Sequence, residues 1–247
     1  MAATPSRLAT FEDCPRRYRY AYVDLPRPPK GPPWAHNSLG ASVHTVLKQW
    51  YDVPVPQRRP ELMSALLRGA WVREGYRDVE QERQVYRRVV GWLKSYVDML
   101  PAEPFGVERT GAARTAVMTL RGRADRIDDR SDLVIVDYKT GREEPTEDDA
   151  AGSSALALYA FAAERMFRRP CRRVELHHLP SGTVAAAELT EQRIARQVAR
   201  AEATAVDIRE AKRAVAEGAD PDEAYPALGG ARCGGCDFRA ICPEGGS

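Results

Sequence analysis

The period of the hydrophobic pattern changes after Pro101, and this change constrains the fold more than any other feature of the chain. Before it, apolar residues such as Val85, Val89 and Leu93 recur at three- and four-residue spacing, which predicts buried helical faces. After it, the pattern approaches a period of two in four closely spaced segments, 105–109, 114–120, 122–128 and 133–138. A helix (150–167), a hairpin (172–179 and 183–189) and a long helix (191–217) complete this part of the chain. The order predicts an α/β domain with helices packed on a central sheet.

The N-terminal part is predicted to be helical with two interruptions. Two short helices meet at Cys14-Pro15, with Ser6 expected as the first N-cap, and the proline-rich stretch 26–33 cannot form regular structure. Three further helices are predicted over 39–51, 61–78 and 80–100, and the tail from Gly218 is predicted to be loop. We therefore expect a single domain, divided into an N-terminal segment (1–38), a helical region (39–100), a core (101–217) and a C-terminal tail (218–247).

Composition excludes some classes of protein and sets expectations for the cysteines. No apolar run approaches the ~20 residues that a membrane-spanning helix needs. The N-terminus lacks the apolar core of a secretory signal, so we expect a cytoplasmic protein in a reducing compartment. Clustered cysteines in such a compartment are more often metal ligands, cluster ligands or catalytic groups than disulfides. The net charge of +2 does not by itself indicate a polyanionic partner.

Three charged residues are expected to meet near the end of the most apolar strand. In Leu133-Val-Ile-Val-Asp137-Tyr-Lys139, Asp137 and Lys139 lie two residues apart and therefore share one face of the strand. If the preceding strand pairs with this one through the turn at 129–132, Asp125 lies beside Asp137. Only five of the 37 basic residues are lysines, so a lysine at the end of this strand is notable. The alternative is a surface ion pair on an edge strand.

This arrangement predicts a metal site. Two carboxylates, with waters and a backbone carbonyl, are ligands that Mg²⁺ or Mn²⁺ accepts. Such an ion would polarise a phosphate and activate water, while Lys139 would position the water or offset charge on phosphorus.

The segments Gly122-Arg-Ala-Asp125-Arg-Ile-Asp and Val136-Asp137-Tyr138-Lys139-Thr140-Gly141 resemble the core motif of the PD-(D/E)XK nuclease superfamily, in particular its RecB-like exonuclease branch. The resemblance implies a restriction-endonuclease-like core: a central mixed sheet flanked by helices. It also implies that Asp125 and Asp137 are metal ligands and that Lys139 is the catalytic lysine. His44 matches the helical histidine of that branch, which is a further metal ligand. Glu108 fits an acidic residue of some members, with a surface glutamate as the alternative.

The helix after the lysine strand departs from the family pattern. Tyr159 is present, and the resemblance makes it a catalytic-site residue that contacts DNA or orients the site, with core packing as the alternative. The family usually has a glutamine four residues earlier, where this chain has Ala155. The missing amide affects the expected positioning of the substrate more than metal binding.

Three cysteines near the C-terminus, Cys233, Cys236 and Cys242, have the spacing C-x2-C-x5-C, and Cys14 precedes Pro15 far upstream. Spacing alone fits either zinc or an iron–sulfur cluster, since both accept four thiolates. RecB-like nucleases of the AddB type and CRISPR-associated relatives share this pattern. The resemblance implies that the four cysteines bind a [4Fe-4S] cluster that joins the N- and C-terminal segments. Cys171 falls outside the pattern and is expected to be a buried small apolar residue.

The run Arg16-Arg17-Tyr18-Arg19-Tyr20 combines arginines with aromatic residues, which suits phosphate contacts and base stacking on single-stranded DNA. A solvated helix face with inward-packed tyrosines is the alternative. From the residues and the resemblance together we expect a Mg²⁺- or Mn²⁺-dependent DNA nuclease, an exonuclease on single-stranded or unwound ends, in repair, recombination or defence. The chain carries no helicase motif, so a helicase partner is an option. Two alternatives are a non-catalytic DNA-binding or scaffold subunit of a helicase–nuclease complex and a zinc-stapled interaction module.

Overall fold

The computed structural model describes residues 1–246. Its regular elements in that range are six strands and nine α-helices. The strands are β1 (Ala2–Ala3), β2 (Gly106–Arg114), β3 (Thr119–Asp129), β4 (Leu133–Lys139), β5 (Arg173–His178) and β6 (Val184–Glu188). The helices are α1 (Pro5–Asp13), α2 (Pro15–Tyr22), α3 (Ala35–Asp52), α4 (Leu62–Ala70), α5 (Val79–Tyr96), α6 (Glu147–Gly152), α7 (Ser154–Phe167), α8 (Glu191–Ala216) and α9 (Pro221–Ala224).

The sheet is mixed, with strand order β1-β3-β4-β5-β6 and β2 paired with β3. β3 and β4 are antiparallel, β4 and β5 are parallel, and β5 and β6 are antiparallel. The predicted α/β fold with a central mixed sheet flanked by helices is confirmed. No described helix is long and apolar enough to span a bilayer.

The chain forms two compact units. The first unit contains residues 1–32, 112–121 and the residues from Ala195 onward, and the second contains 33–111 and 122–194. In the second unit, α3, α4 and α5 pack on one face of the sheet. The apolar residues of this core include Val134, Val136 and Tyr138, which alternate along β4. α7 packs against β4 and β5.

The first unit is held by contacts between the N-terminal helices and the C-terminal residues. The ring of Tyr18 stacks on that of Tyr225 at 6.5 Å, and Phe11 meets Tyr18 edge-on at 5.4 Å. β1 pairs in parallel with the first residues of β3, where Ala3 lies opposite Leu120.

Five local expectations are wrong. The helix predicted over 61–78 ends at Ala70, and the other four are wrong for identifiable physical reasons. The side chain of Thr4, not Ser6, caps α1 by accepting a hydrogen bond from Arg7 N. The predicted helix 150–167 is two helices, because Ser153 is extended and its side chain caps α7. The predicted loop from Gly218 contains α9, where Asp220 caps a helix that begins with Pro221.

The fourth concerns the strands. The turn between β2 and β3 lies at 115–118, inside the segment predicted as a strand over 114–120. Thr115 Oγ1 accepts hydrogen bonds from the backbone N–H groups of Val117 and Met118, which stabilises this turn. Gly122 does not break the sheet and lies within the continuous strand β3.

Candidate active site

The pairing of β3 with β4 brings two aspartates together. Arg126 lies opposite Val136 in this antiparallel pair, so Asp125 and Asp137 are the next residues along their strands. Asp125 Oδ2 accepts a hydrogen bond of 2.9 Å from the backbone N–H of Tyr138, which fixes the orientation of the carboxylate. The short turn after Asp129 therefore produces the neighbouring carboxylates that the sequence predicts.

A buried network fixes Tyr138 through its side chain. Arg126, about 1% exposed, donates to the hydroxyls of Tyr138 and Tyr96 and forms a two-bonded ion pair with Asp128. Tyr96 in turn bonds with His177 Nδ1 at 2.5 Å. Because the backbone of Tyr138 holds Asp125, this network supports the position of the carboxylate.

A histidine and two carboxylates converge on one point. One ligand atom each from His44, Glu108 and Asp125 lies within 4.8 Å of the other two. His44 Nδ1 is 3.2 Å from Asp125 Oδ1, and its ring meets that of Tyr138 edge-on at 5.9 Å. His44 is positioned by α3, whose neighbouring residues Val43 and Val46 are fully buried. A nitrogen and carboxylate oxygens at this separation can bind a divalent ion.

Glu108 adopts a strained backbone conformation. Its φ is +48°, a left-handed value that L-residues other than asparagine and aspartate seldom adopt. Its side chain is mostly buried and pairs with Arg123 at 2.8 Å. Such strain is concentrated at functional sites, so the conformation supports a role for this carboxylate. The sequence alone does not decide the role of Glu108, because its position in the strand before β3 is the only sequence feature that points to a functional role.

Asp137 and Lys139 form an ion pair of 2.7 Å between Oδ2 and Nζ. The carboxylate is 21% exposed and the lysine 47% exposed. Apart from this ion pair, the buried atom Oδ2 has no hydrogen-bond partner among the described residues. An under-satisfied buried carboxylate oxygen beside Asp125 fits a site that accepts a metal ion.

The charges of the site shift two pKa values. Burial and the charge of Asp125 raise the pKa of Asp137, while the ammonium of Lys139 opposes this change. Burial alone lowers the pKa of His44, but the hydrogen bond with Asp125 and the charges of the nearby carboxylates outweigh it and raise the pKa overall. Both shifts are those of a site with excess negative charge, which a divalent cation neutralises.

The sequence profile of the PD-(D/E)XK nuclease superfamily matches residues 2–243. The chain belongs to this superfamily. Among solved structures, one described as the crystal structure of SSO0001 is 18% identical, with a TM-score of 0.42 over 98% of this chain and 85% of that one. No curated protein sequence matches the chain.

Tyr159 on α7 lies close enough to this site for the charges of Asp137 and Asp125 to act on it. It is half-buried, and burial together with the charges of Asp137 and Asp125 raises its pKa to about 12. The hydroxyl therefore stays protonated at neutral pH and is available as a hydrogen-bond donor. Ala155, on the preceding turn of α7, offers no polar group where the family usually has an amide.

The three predicted DNA-binding arginines lie in the first unit, and all three pair with protein carboxylates. The Arg16 and Arg19 side chains are 8% and 10% exposed and both pair with Asp222. Arg16 also donates to the carbonyl of Tyr225. Arg17 on α2 is about one third exposed and pairs with Asp13, the last residue of α1. Arg16 and Arg19 thus hold the N-terminal helices to the C-terminal residues, a role that the sequence pattern does not reveal.

The four predicted cluster cysteines line one pocket of the first unit. Cys14, Cys233, Cys236 and Cys242 share this pocket with Arg17 and other basic residues. Backbone N–H groups of Leu228 and Phe238 donate to Cys14 Sγ and Cys236 Sγ, each at 3.5 Å. Burial raises the pKa of Cys236, although the Phe238 N–H and the charge of Arg17 lower it. The donor set fits a group that takes four thiolates.

Cys171 lies apart from this pocket. It is fully buried in the second unit, and burial raises its pKa to about 12. This thiol is a small apolar side chain of the core.

Proposed function

We propose that the chain is a Mg²⁺- or Mn²⁺-dependent DNA nuclease that acts as an exonuclease on single-stranded or unwound ends. The observation that carries this proposal is the convergence of His44, Glu108 and Asp125 beside the Asp137–Lys139 pair. The superfamily supports phosphodiester hydrolysis. The preference for ends, the role in repair, recombination or defence and the use of a helicase partner rest on the resemblance to the RecB-like branch.

His44, Glu108, Asp125 and Asp137 are the residues that would hold the metal. When bound, the ion supplies polarisation of the phosphate and a lowered pKa for water. The backbone N–H of Tyr138 keeps Asp125 oriented, and Asp137 keeps the Lys139 ammonium at the site. Lys139, half exposed, can orient the attacking water and offset negative charge that develops on the phosphate. Tyr159 can donate a hydrogen bond to the substrate from α7.

The second part of the proposal concerns the cysteine pocket. Cys14, Cys233, Cys236 and Cys242 would hold a [4Fe-4S] cluster with a structural role. The shared pocket, the two N–H···S contacts and the nearby arginine support an anionic cluster over unligated thiols. Because Cys14 follows α1 and the other three lie near the C-terminus, the cluster would join the two chain ends within the first unit.

The test uses two substitutions: Asp137→Asn, which keeps the shape of the side chain but removes its charge, and the truncation Lys139→Ala. Each should lower Mn²⁺-dependent cleavage of an end-labelled single strand at least about a hundredfold, since each removes a group that acts on the transition state. DNA binding without metal should change little, because phosphate electrostatics dominate it. Asp148→Asn on α6 and Lys94→Ala on α5 are exposed controls that should cleave like wild type.

A circular single strand separates the two modes of cleavage, because an exonuclease leaves it intact. Retained cleavage in both active-site variants would overturn the site assignment, and cutting of the circle would overturn the exonuclease assignment. Absence of metal-dependent cleavage in wild type, with binding retained, would favour the non-catalytic subunit.

A further inference from the structure

A groove between α4 and α5 in the second unit combines arginines with aromatic rings. It is lined by four exposed arginines and two half-buried aromatic residues: Arg68, Arg73, Arg83, Arg87, Trp71 and Tyr86. Its acidic residues are engaged. Glu82 accepts from Trp71 Nε1 at 3.1 Å and from Arg73 at 2.8 Å, and Glu80 pairs with Arg87 at 3.5 Å.

Two of the arginines stand outside the ion pairs of the described chain, although the charge of Arg83 contributes to the lowered pKa of Glu82. Within residues 1–246, neither Arg68 nor Arg83 forms an ion pair. Arg83 and Arg87 are also four residues apart on α5, where like charges destabilise a helix. The groove therefore holds excess positive charge that suits a phosphate backbone.

The aromatic residues of the groove are held in fixed positions, because they pack against the core of the second unit. Trp71 stacks on Tyr76 at 5.5 Å and meets Tyr86 edge-on at 5.1 Å. The hydroxyl of Tyr86 donates to the carbonyl of Ser64, which ties α5 to α4 beneath the groove. Aromatic rings beside a basic groove bind the bases of a single strand, which are unpaired and free to stack.

The loop that carries Trp71 is anchored on the helix of the metal site. The backbone N–H of Val72 donates to Ser42 Oγ on α3 at 2.9 Å, two residues before His44. Gly75, at φ +84°, lies so close to the backbone of residues 33–35 that a Cβ there would meet Pro33 O at 2.5 Å. That backbone carries the exposed side chain of Trp34, which lies at the start of α3, about 15 Å along the helix from His44 at ~1.5 Å per residue.

We propose that this α4–α5 groove is an accessory binding site for single-stranded DNA, which leads the strand along Trp71 and Trp34 toward the metal site. The assignment rests on the proposed function only in taking DNA as the substrate. Arg68 and Arg83 contact phosphates, and Trp71 stacks on a base. The groove lies outside the residues that would bind metal.

The test measures binding of a labelled oligothymidylate of about 20 nucleotides in EDTA by fluorescence anisotropy. The double variant Arg68→Ala/Arg83→Ala should bind roughly tenfold more weakly than wild type. The slope of log K for DNA binding against log[salt] should be less steep by about 1.4. Each phosphate that an arginine neutralises on a single strand contributes ~0.7 to the steepness of this slope, and two arginines are removed. The matched control is Arg196→Ala/Arg209→Ala on α8, which removes two exposed arginines that also lack an ion pair in the described chain, and it should bind like wild type.

A second measurement does not depend on charge. Oligothymidylate should quench tryptophan emission of wild type, and Trp71→Phe should lose part of that quenching. The binding role of the groove would be refuted if the Arg68→Ala/Arg83→Ala variant bound oligothymidylate with wild-type affinity and salt slope. It would also be refuted if the control variant were weakened to the same extent. Equal affinity for a duplex of the same length would overturn the stacking role. Since binding is measured without metal, a wild type that binds but does not cleave refutes the proposed activity and leaves the groove supported.

Discussion

Replacing Glu108 by glycine and by alanine tests the strained backbone of the metal site. Both substitutions remove the carboxylate and its ion pair with Arg123, so their difference isolates the backbone. At φ +48°, a Cβ costs roughly 1–2 kcal/mol, which alanine retains and glycine avoids. Glycine also loses more conformational freedom on folding, by roughly 0.4–1 kcal/mol. The Glu108→Gly variant should therefore be more stable than the Glu108→Ala variant by about 0.8 kcal/mol, the midpoint of a range of roughly 0–1.6 kcal/mol.

At an ordinary strand position the alanine variant is the more stable of the two, because glycine destabilises a strand by roughly 0.5–1 kcal/mol relative to alanine. The expected order of stability at Glu108 is the opposite. Glu188 in β6 provides the matched control, because it is a strand glutamate paired with an arginine, Arg173, at 3.4 Å. Glu188→Gly should be less stable than Glu188→Ala.

The assay is thermal unfolding of the four variants in EDTA. In a chain of this size, a stability difference of about 1 kcal/mol shifts the Tm by about 2–4 °C. A repeat in Mn²⁺ should raise the Tm of wild type and of both Glu188 variants, and raise that of the Glu108 variants less, because a ligand is missing. If Glu108→Ala melts at or above Glu108→Gly in EDTA, the left-handed conformation is refuted. If the Glu108 variants respond to Mn²⁺ like wild type, Glu108 is not a ligand.

Three further outcomes are expected. His44 binds metal only when neutral, and its pKa is raised, so lowering the pH protonates it. The Mn²⁺ concentration needed for half-maximal stabilisation should therefore increase as the pH is lowered from about 8 to about 6. The His44→Ala variant should show a weaker dependence of this concentration on pH. Asp222→Ala leaves the mostly buried guanidinium of Arg16 without a carboxylate and that of Arg19 with Asp24 alone, and should cost roughly 1–3 kcal/mol, read as a lower Tm; an unchanged Tm would refute the role of Asp222. In anaerobic preparations, Cys171→Ser should keep wild-type iron and sulfide, while colour and iron should be lost on serine substitution of any of the four pocket residues, Cys14, Cys233, Cys236 and Cys242; zinc in place of iron in wild type would refute the cluster.

The paired aspartates were predictable because they depend on local rules. Alternation along β4 places Asp137 and Lys139 on one face, and the short turn after Asp129 sets the register that brings Asp125 alongside. The helices α3 and α5 were predictable for a similar reason, since their apolar spacing records which face is buried. In both cases the residues that determine the structure lie close together in the sequence, so few alternative strand pairings or buried helix faces are possible.

The ion pairs of Arg16 and Arg19 were not predictable, because they join residues some 200 positions apart. Both side chains bind Asp222, and nothing in the local pattern Arg-Arg-Tyr-Arg distinguishes a DNA-facing arginine from a buried one. The α4–α5 groove was missed for a related reason. Its arginines are spread over two helices and the loop between them, so that no short window of sequence contains enough of them to stand out.

The metal site breaks local rules that the rest of the second unit obeys. Oxygen atoms of Glu108 and Asp125 lie within 4.8 Å, where two unit charges repel by about 3 kcal/mol at an effective dielectric constant of about 20. Arg123 and Lys139 each offset one carboxylate, and His44 responds with a raised pKa, yet the buried Oδ2 of Asp137 has no hydrogen-bond partner other than Lys139 among the described residues. A left-handed glutamate adds strain at the same place. One divalent cation would relieve the charge repulsion, and the strained backbone of Glu108 would position a ligand for it. The proposed activity therefore explains the site better than an ion-pair network would.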